Sequence, residues 1–198
     1  MELIKIFKAL FYKFLVAPYY RCIFKKFGKN SRIEFPSIIE GSSKILIDNN
    51  VFIRRNSRLE CLNYYADAKL LIKSRARIES NAHIIALKSI TIGTNVTIAQ
   101  NVYISDNIHG YEDIHVPIRD QDPIFRGECV IGDDSWIGEN ACIIGAIIGK
   151  HCIIGANAVV QKNIPDYCVV VGVPGRIVKR YNPATMKWEK TSKEGCLI

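Results

Sequence analysis

Several things are scarce in this 198-residue chain, and each scarcity excludes something. No apolar run is long enough to cross a bilayer. In the hydrophobic N-terminal stretch the longest uncharged segment, Phe14 to Tyr20, has seven residues, against roughly 20 for a membrane helix. No A-x-A cleavage pattern follows, so this stretch is expected neither to span nor to export. The seven cysteines, at 22, 61, 129, 142, 152, 168 and 196, include no C-x-x-C pair. Their odd number and scattered spacing suit reduced thiols in a cytosolic protein. Histidine is sparse too, with four residues, and a catalytic metal needs three converging protein ligands. No metal is expected.

Basic charge is scarce outside the first 30 residues. The net charge is +8, yet residues 1–30 hold seven Lys or Arg against Glu2 alone and the rest is nearly neutral. A nucleic-acid-binding face needs clustered cations to displace counterions, so nucleic acid is not an expected partner. With 48% hydrophobic residues the chain is expected to build a real core. The apolar residues and interleaved lysines of residues 1–30 read as one or two amphipathic helices on either side of Pro18. Such helices either pack on the core or a neighbouring subunit, or rest on an anionic membrane surface.

What the chain does have is a repeat. Aliphatic residues recur at every sixth position in five registers: Ile47, Ile53, Leu59; Ile72, Ile78, Ile84; Ile92, Ile98, Ile104; Ile131, Ile137, Ile143; Ile148, Ile154, Val160. Four positions after most of them stands a small or β-branched residue, such as Ala76, Val96 or Ala141. Asn recurs three positions after, at Asn50, Asn56, Asn81, Asn95, Asn101, Asn140 and Asn157. Asn accepts positive φ most readily after Gly, so each unit ends in a tight corner. A short strand and a corner every six residues describe a coil of triangular section with three units per turn. Fifteen aliphatic slots then make about five stacked coils, each burying its inward residues against the next.

This pattern resembles the hexapeptide-repeat acyltransferases, whose fold is a left-handed parallel β-helix, over residues 31–175. The resemblance implies an all-β solenoid flanked by the basic segment 1–30 and a C-terminal cap and tail, residues 176–198. The cap is expected as a helix or an extended tail. The register breaks at four points: about seven extra residues between Leu59 and Ile72, two between Ile84 and Ile92, about twenty-one between Ile104 and Ile131, and one missing between Ile143 and Ile148. The longest insertion, the loop over 105–130, gives the coils nothing, which marks it as functional.

That loop begins Ser105-Asp106-Asn107-Ile108-His109-Gly110-Tyr111, similar to the Asp-x-x-His-Gly segment of the sugar O-acetyltransferases of this fold. The resemblance implies that His109 is the catalytic base. A sugar hydroxyl attacks a thioester slowly unless its proton is removed as the bond forms, and a neutral imidazole can take that proton. His115 is expected as a loop or substrate contact, and His83 and His151 as solvated residues on outward slots. The resemblance further implies that Trp136 walls the acceptor pocket, and it places Glu79 where related enzymes usually carry Asn. Asp106 and Tyr111 complete the expected substrate set. The His-x-x-x-x-His spacing of carbonic anhydrases that share the fold is absent.

The closing segment, Gly155-Ala156-Asn157-Ala158-Val159-Val160-Gln161-Lys162-Asn163-Ile164-Pro165 and then Gly172-Val173-Pro174-Gly175-Arg176, closely resembles the family's G-A-x-S-V-V-x-K-D-I-P and G-x-P-A-[KR]. It implies acetyl-CoA as co-substrate, with Gly138, Gly155 and Ala156 leaving room for pantetheine and with Lys162, Arg176 and Lys179 meeting phosphates. The expected function is acetyl transfer to a carbohydrate hydroxyl in a cell-surface polysaccharide or its precursor. The enzyme is expected as a homotrimer in the cytoplasm or at the inner face of the membrane. The alternatives are N-acetylation of an amino-sugar nucleotide and a scaffold without catalysis.

Overall fold

The computed structural model describes residues 10–192 and 195–197. Residues 1–9, the start of the expected amphipathic segment, lie outside the described residues. The repeat folds as a parallel β-helix with three flat faces. The first face stacks Lys26–Phe27, Ile45–Ile47, Lys69–Ile72, Ser89–Ile92, Cys129–Ile131 and Ile147–Ile148. The second stacks Arg32–Ile33, Phe52–Ile53, Arg77–Ile78, Thr97–Ile98, Trp136–Ile137, Ile153–Ile154 and Cys168–Val171. On the third face lie Ile38–Glu40, Arg58–Cys61, His83–Ala86, Tyr103–Ser105, Cys142–Ile144 and Val159–Val160. Pairing holds the repeat in register, as in Ile78↔Ile98↔Ile137↔Ile154, so the inward aliphatic of each coil lies on that of the next.

There are thus six full coils, one more than the fifteen aliphatic slots supply. The extra coil spans residues 26–40 and carries Phe27, Ile33 and Ile39 at the inward spacing. The solenoid therefore starts before residue 31. Residues Ile53, Ile84, Ile98, Ile131 and Ile154 are wholly buried, each contributing about 1.5–3 kcal/mol by leaving water.

The corners explain the Asn rule. Between the second and third faces Asn56, Asn81, Asn101, Asn140 and Asn157 all have φ of 58–64°, a left-handed conformation that costs other side chains about 1–2 kcal/mol. Their amides also chain together: Asn81 donates to Asn101 at 3.0 Å, Asn101 to Asn140 at 3.1 Å and Asn140 to Asn157 at 3.2 Å. The corner between the first and second faces is less uniform. There the left-handed positions are Asn30, Asn50, Arg75, Asn95, Asp134, His151 and Tyr167.

The N-terminal end is closed by a π-type turn, Tyr12–Val16, that runs into helix α1, Ala17–Ile23. Pro18 sits in the first turn of α1, where a missing N–H costs little. Val16, Ala17 and Tyr20 face inward, with Tyr20 packed on Phe24 and Phe27 at ring-centroid distances of 5.5 and 5.2 Å. The Tyr12 hydroxyl accepts the Ile33 N–H at 2.8 Å, satisfying a donor on an edge strand. Burial pushes the Tyr12 phenol up to about 12.

At the other end a seventh coil begins, with Ile164 bridging Ile148 on the first face and Cys168–Val171 pairing on the second. An antiparallel hairpin, Arg176–Asn182 with Lys187–Lys190, then extends the second face. The cap is therefore a hairpin, not a helix or an extended tail.

Candidate active site

The long loop leaves the corner between the third and first faces after Ser105 and returns at Cys129. Its two stems, Asn107–Ile108 and Ile124–Phe125, pair antiparallel. Asp106 roots it. This carboxylate is 0% exposed and accepts the backbone N–H groups of Leu87, Lys88 and Ser89, each at 2.7 Å, and the Asn107 amide at 3.0 Å. Residues 87 and 88 are the two-residue addition between Ile84 and Ile92, so one insertion is built to hold the other. Lys88 also reaches over the Phe125 ring at 5.5 Å and the Tyr65 ring at 5.6 Å. Asp106 is consequently corrected from a substrate contact to the loop's anchor, because it is sealed from solvent and both its oxygens are engaged.

The deleted residue between Ile143 and Ile148 belongs to the same construction. Gly145 turns this corner at φ +54° and donates its N–H to Ser105 O at 2.8 Å. A side chain there would meet Arg126 of the returning loop at 2.8 Å. Below the loop, the tight corner leaves room for the stem.

His109 follows the first stem and is exposed; none of the described residues hydrogen-bonds its imidazole. Gly110 next to it is buried, and any Cβ would collide with the Asp122 carbonyl. The requirement for glycine therefore fixes the backbone beside His109. A cleft of about 130 Å³ lined by Ile108, Tyr111, Arg126, Ile144, Gly145 and Gln161 opens alongside. Tyr111 lines this cleft, two residues past His109. The loop tip is tied by Gln121, whose amide donates to Asp113 O and Val116 O, both at 2.8 Å. The tip nevertheless exposes Ile114 at 87%, and His115 is exposed beside it.

The structure does not bring the other expected substrate residues to His109 within one chain. Trp136 stands on the second face, 51% exposed, over a groove of about 510 Å³ shared with Asn95, Thr97 and His151. Glu79 follows Ile78 at the corner between the second and third faces and pairs with Arg54, Nε to Oε2, at 2.8 Å.

The expected cofactor residues gather along that same corner and at its C-terminal end. Ala156 is exposed there. Gly155 leaves space that a Val171 methyl approaches, its would-be Cβ lying 2.9 Å from Val171 Cγ1. Gly138 is different: it is buried, its N–H bonds Ile154 O at 2.7 Å, and a Cβ would lie 2.6 Å from the Ala156 nitrogen. Its glycine serves the stacking of coils, which corrects the expectation of a cofactor contact. Lys162, Arg176 and Lys179 are exposed, and among the described residues none of them forms an ion pair.

Of the two histidines expected on outward slots, His151 is exposed and His83 differs from expectation. His83 is half-buried under Tyr103, with ring centroids 5.2 Å apart, and its Nε2 lies 3.3 Å from the buried Glu60 carboxylate, which Arg58 also holds. Burial pushes the His83 imidazole below the ordinary histidine value, against the pull of Glu60. His151 lines an aromatic pocket with residues of the C-terminal hairpin. Neither cluster was visible in the repeat, because each joins residues from different coils. Among the described residues no group of three or more His, Cys, Asp or Glu side chains is placed to hold a metal ion, and no helix is long and apolar enough to cross a membrane.

A stack of hexapeptide coils, interrupted by one long loop that presents a histidine, defines the class of hexapeptide-repeat transferases. The family description "Bacterial transferase hexapeptide (six repeats)" matches residues 128–162, and "Hexapeptide repeat of succinyl-transferase" matches residues 76–106. The chain is 33% identical over 172 residues to the putative lipopolysaccharide biosynthesis O-acetyl transferase WbbJ of Escherichia coli K12, covering 83% of this chain and 86% of that one. Its fold is that of AntD, an N-acyltransferase from Bacillus cereus solved with dTDP and 3-hydroxybutyryl-CoA: TM-score 0.72 at 21% identity, over 85% of this chain and 89% of that one. A maltose O-acetyltransferase from Clostridium difficile 630 superposes with a TM-score of 0.56 at 27% identity, over 82% and 73%. The chain belongs to the hexapeptide-repeat acyltransferases and is a left-handed parallel β-helix.

Proposed function

We propose that this protein is an acetyl-CoA-dependent O-acetyltransferase that acetylates a sugar hydroxyl of a cell-surface polysaccharide or its precursor, with His109 as general base. The observation that carries this reading is the loop itself: a buried Asp106 and a steric need for Gly110 fix the backbone around an exposed imidazole, whose chain neighbours Ile108 and Tyr111 line a cleft. The likeness to an O-acetyl transferase over most of the chain supports the hydroxyl acceptor. In the reaction the neutral imidazole takes the hydroxyl proton as the sugar oxygen bonds to the thioester carbonyl carbon. The C–S bond then breaks and the imidazolium returns its proton to the leaving thiolate.

Transfer is direct. Burial pushes the Cys129 thiol up to about 12 and those of Cys61 and Cys152 up to about 11, and such thiols do not become nucleophilic thiolates near neutrality. The cations Lys162, Arg176 and Lys179, without ion-pair partners among the described residues, suit the phosphates of CoA. A homotrimer with sites between copies is supported by two facts: Trp136 and His109 stand on different sides of one solenoid, and the loop tip exposes Ile114. Leu10, Leu15 and Tyr19 are exposed at 48%, 61% and 58% near Arg21, Lys25 and Lys26. That combination supports peripheral contact of residues 1–30 with an anionic membrane from the cytoplasmic side.

The test is thiol release from acetyl-CoA against a panel of polysaccharides, simple glycosides and amino-sugar nucleotides. Release dependent on a hydroxyl acceptor supports the reading. Release with amino-sugar nucleotides alone would make it an N-acetyltransferase, and none with any acceptor would leave a scaffold.

A further inference from the structure

Two local rules of the sequence fail at one place. At the corner between the first and second faces, the left-handed positions of the last full coil and the start of the seventh carry His151 (φ +53°) and Tyr167 (φ +59°). Asn, Asp and His accept such a turn most readily after Gly, and a Tyr at φ +59° does not. Backbone strain of this kind points to a use for the side chain. Both rings turn toward the hairpin: His151 lies 6.4 Å from Trp188 with planes 23° apart, and Tyr167 lies 6.1 Å from Tyr181. With Pro183 they line a pocket of about 460 Å³.

The second failure is electrostatic. Lys179 and Lys190 are directly opposed across the hairpin, and like charges in that position repel. Among the described residues neither has an acidic partner. Tyr181 and Trp188 form the cross-strand pair two residues along, so by the period of a strand the two lysines and the two rings share one face. The lysine pair and the ring pair are separated by roughly 7 Å along the strands. Lys150 stands 5.4 Å over the Tyr167 ring, its charge shared with Asp166 Oδ2 at 3.9 Å.

A set of ring faces with two cations one step away, neither with an acidic partner among the described residues, matches a molecule that carries a flat heterocycle and a phosphate. We propose that this pocket binds a nucleotide, its base against Trp188, Tyr181 and His151 and its phosphate between Lys179 and Lys190. The strand that bears Tyr181 and Lys179 begins at Arg176, at the end of the corner that carries Gly155 and Ala156. Under the CoA-dependent function proposed above, on which this assignment of source rests, the nucleotide is the 3′-phosphoadenosine end of the donor. A nucleoside diphosphate from an activated sugar has the same chemistry.

Calorimetric titration of the full chain with adenosine 3′,5′-bisphosphate, uridine diphosphate, thymidine diphosphate, adenosine and pantetheine tests this. Trp188→Ala is expected to weaken nucleotide binding about 10- to 100-fold, the loss of one base stack, with pantetheine unaffected. His151→Asn restores the residue type of the coils above and so keeps the fold. It is expected to weaken nucleotide binding in the same direction. Lys190→Glu weakens the nucleotides and leaves adenosine unchanged. Preference for the adenosine bisphosphate identifies the CoA end, and preference for the diphosphates an activated sugar; both support the site. Nucleotide affinity unchanged in the folded His151→Asn and Lys190→Glu proteins overturns it, as does no nucleotide binding at all. If nucleotide affinity is unchanged in those proteins while thiol release from acetyl-CoA persists, the pocket assignment fails and the acetyltransferase stands. If nucleotides bind but no acceptor releases thiol, the reverse holds.

Discussion

Replacing Asp106 by Asn changes one atom and should unroot the loop. The carboxylate meets only donors: Oδ1 takes the Leu87 N–H and the Asn107 amide, and Oδ2 takes the Lys88 and Ser89 N–H groups. Whichever oxygen becomes NH2, two donors lose their acceptor and face another donor. Each hydrogen bond to a charged group is worth about 1.5–3 kcal/mol net, and a buried N–H left unmade costs on that scale. The expected loss is about 3–6 kcal/mol, a large share of the roughly 5–15 kcal/mol that holds a domain together. Urea unfolding followed by far-ultraviolet circular dichroism measures it. At roughly 2–4 °C per kcal/mol for a chain of this size, Tm should fall by at least about 6 °C. A loss under about 1 kcal/mol would refute the reasoning, because it would mean that water or rearrangement satisfies these donors without the carboxylate.

Gly110→Ala forces a Cβ against the Asp122 backbone, and is expected to cut acetyl transfer at least tenfold while Tm falls by only a few degrees; steady-state kinetics beside a thermal melt checks it. His83 gives a pH effect with a definite sign. Its folded pKa lies below its unfolded value, so the unfolded chain binds the extra proton first. Stability present above the ordinary histidine pKa of about 6.5 is lost as pH falls from there through the lowered folded value. A His83→Gln protein should lack that slope between pH 7 and 5, and an unchanged slope would contradict the assignment. Thiol labelling of the native protein should reach Cys22 and Cys196, which are exposed, well before Cys61, Cys129, Cys152 and Cys168, which are buried; equal rates would show that the coils open.

The period of six was legible because each coil repeats one inward aliphatic, and that demand is the same in every coil. The first coil escaped because Phe27 stands where an aliphatic residue is usual and a helix covers the end. Asp106 was visible as part of a segment, yet its role was not. A buried anchor and a solvent-facing contact look alike in sequence, and only the Leu87–Lys88 corner, 18 residues away, tells them apart. Gly138 and Gly155 read the same in the repeat, while the next coil's backbone presses on one and a mobile methyl on the other. The C-terminal hairpin has no period of its own, and its rings take meaning only beside His151 and Tyr167. The lysines of that hairpin likewise read as a solvated basic end until the register set Lys179 against Lys190.

On the proposed mechanism His109 removes the acceptor proton. The direct measurement is the kcat for thiol release from acetyl-CoA, with a sugar acceptor, in His109→Ala beside the unaltered protein. General-base catalysis contributes typically 10²–10⁴-fold, so kcat should fall by about that factor while the KM for acetyl-CoA stays within about threefold. A His109→Ala enzyme that kept most of its turnover would contradict the account.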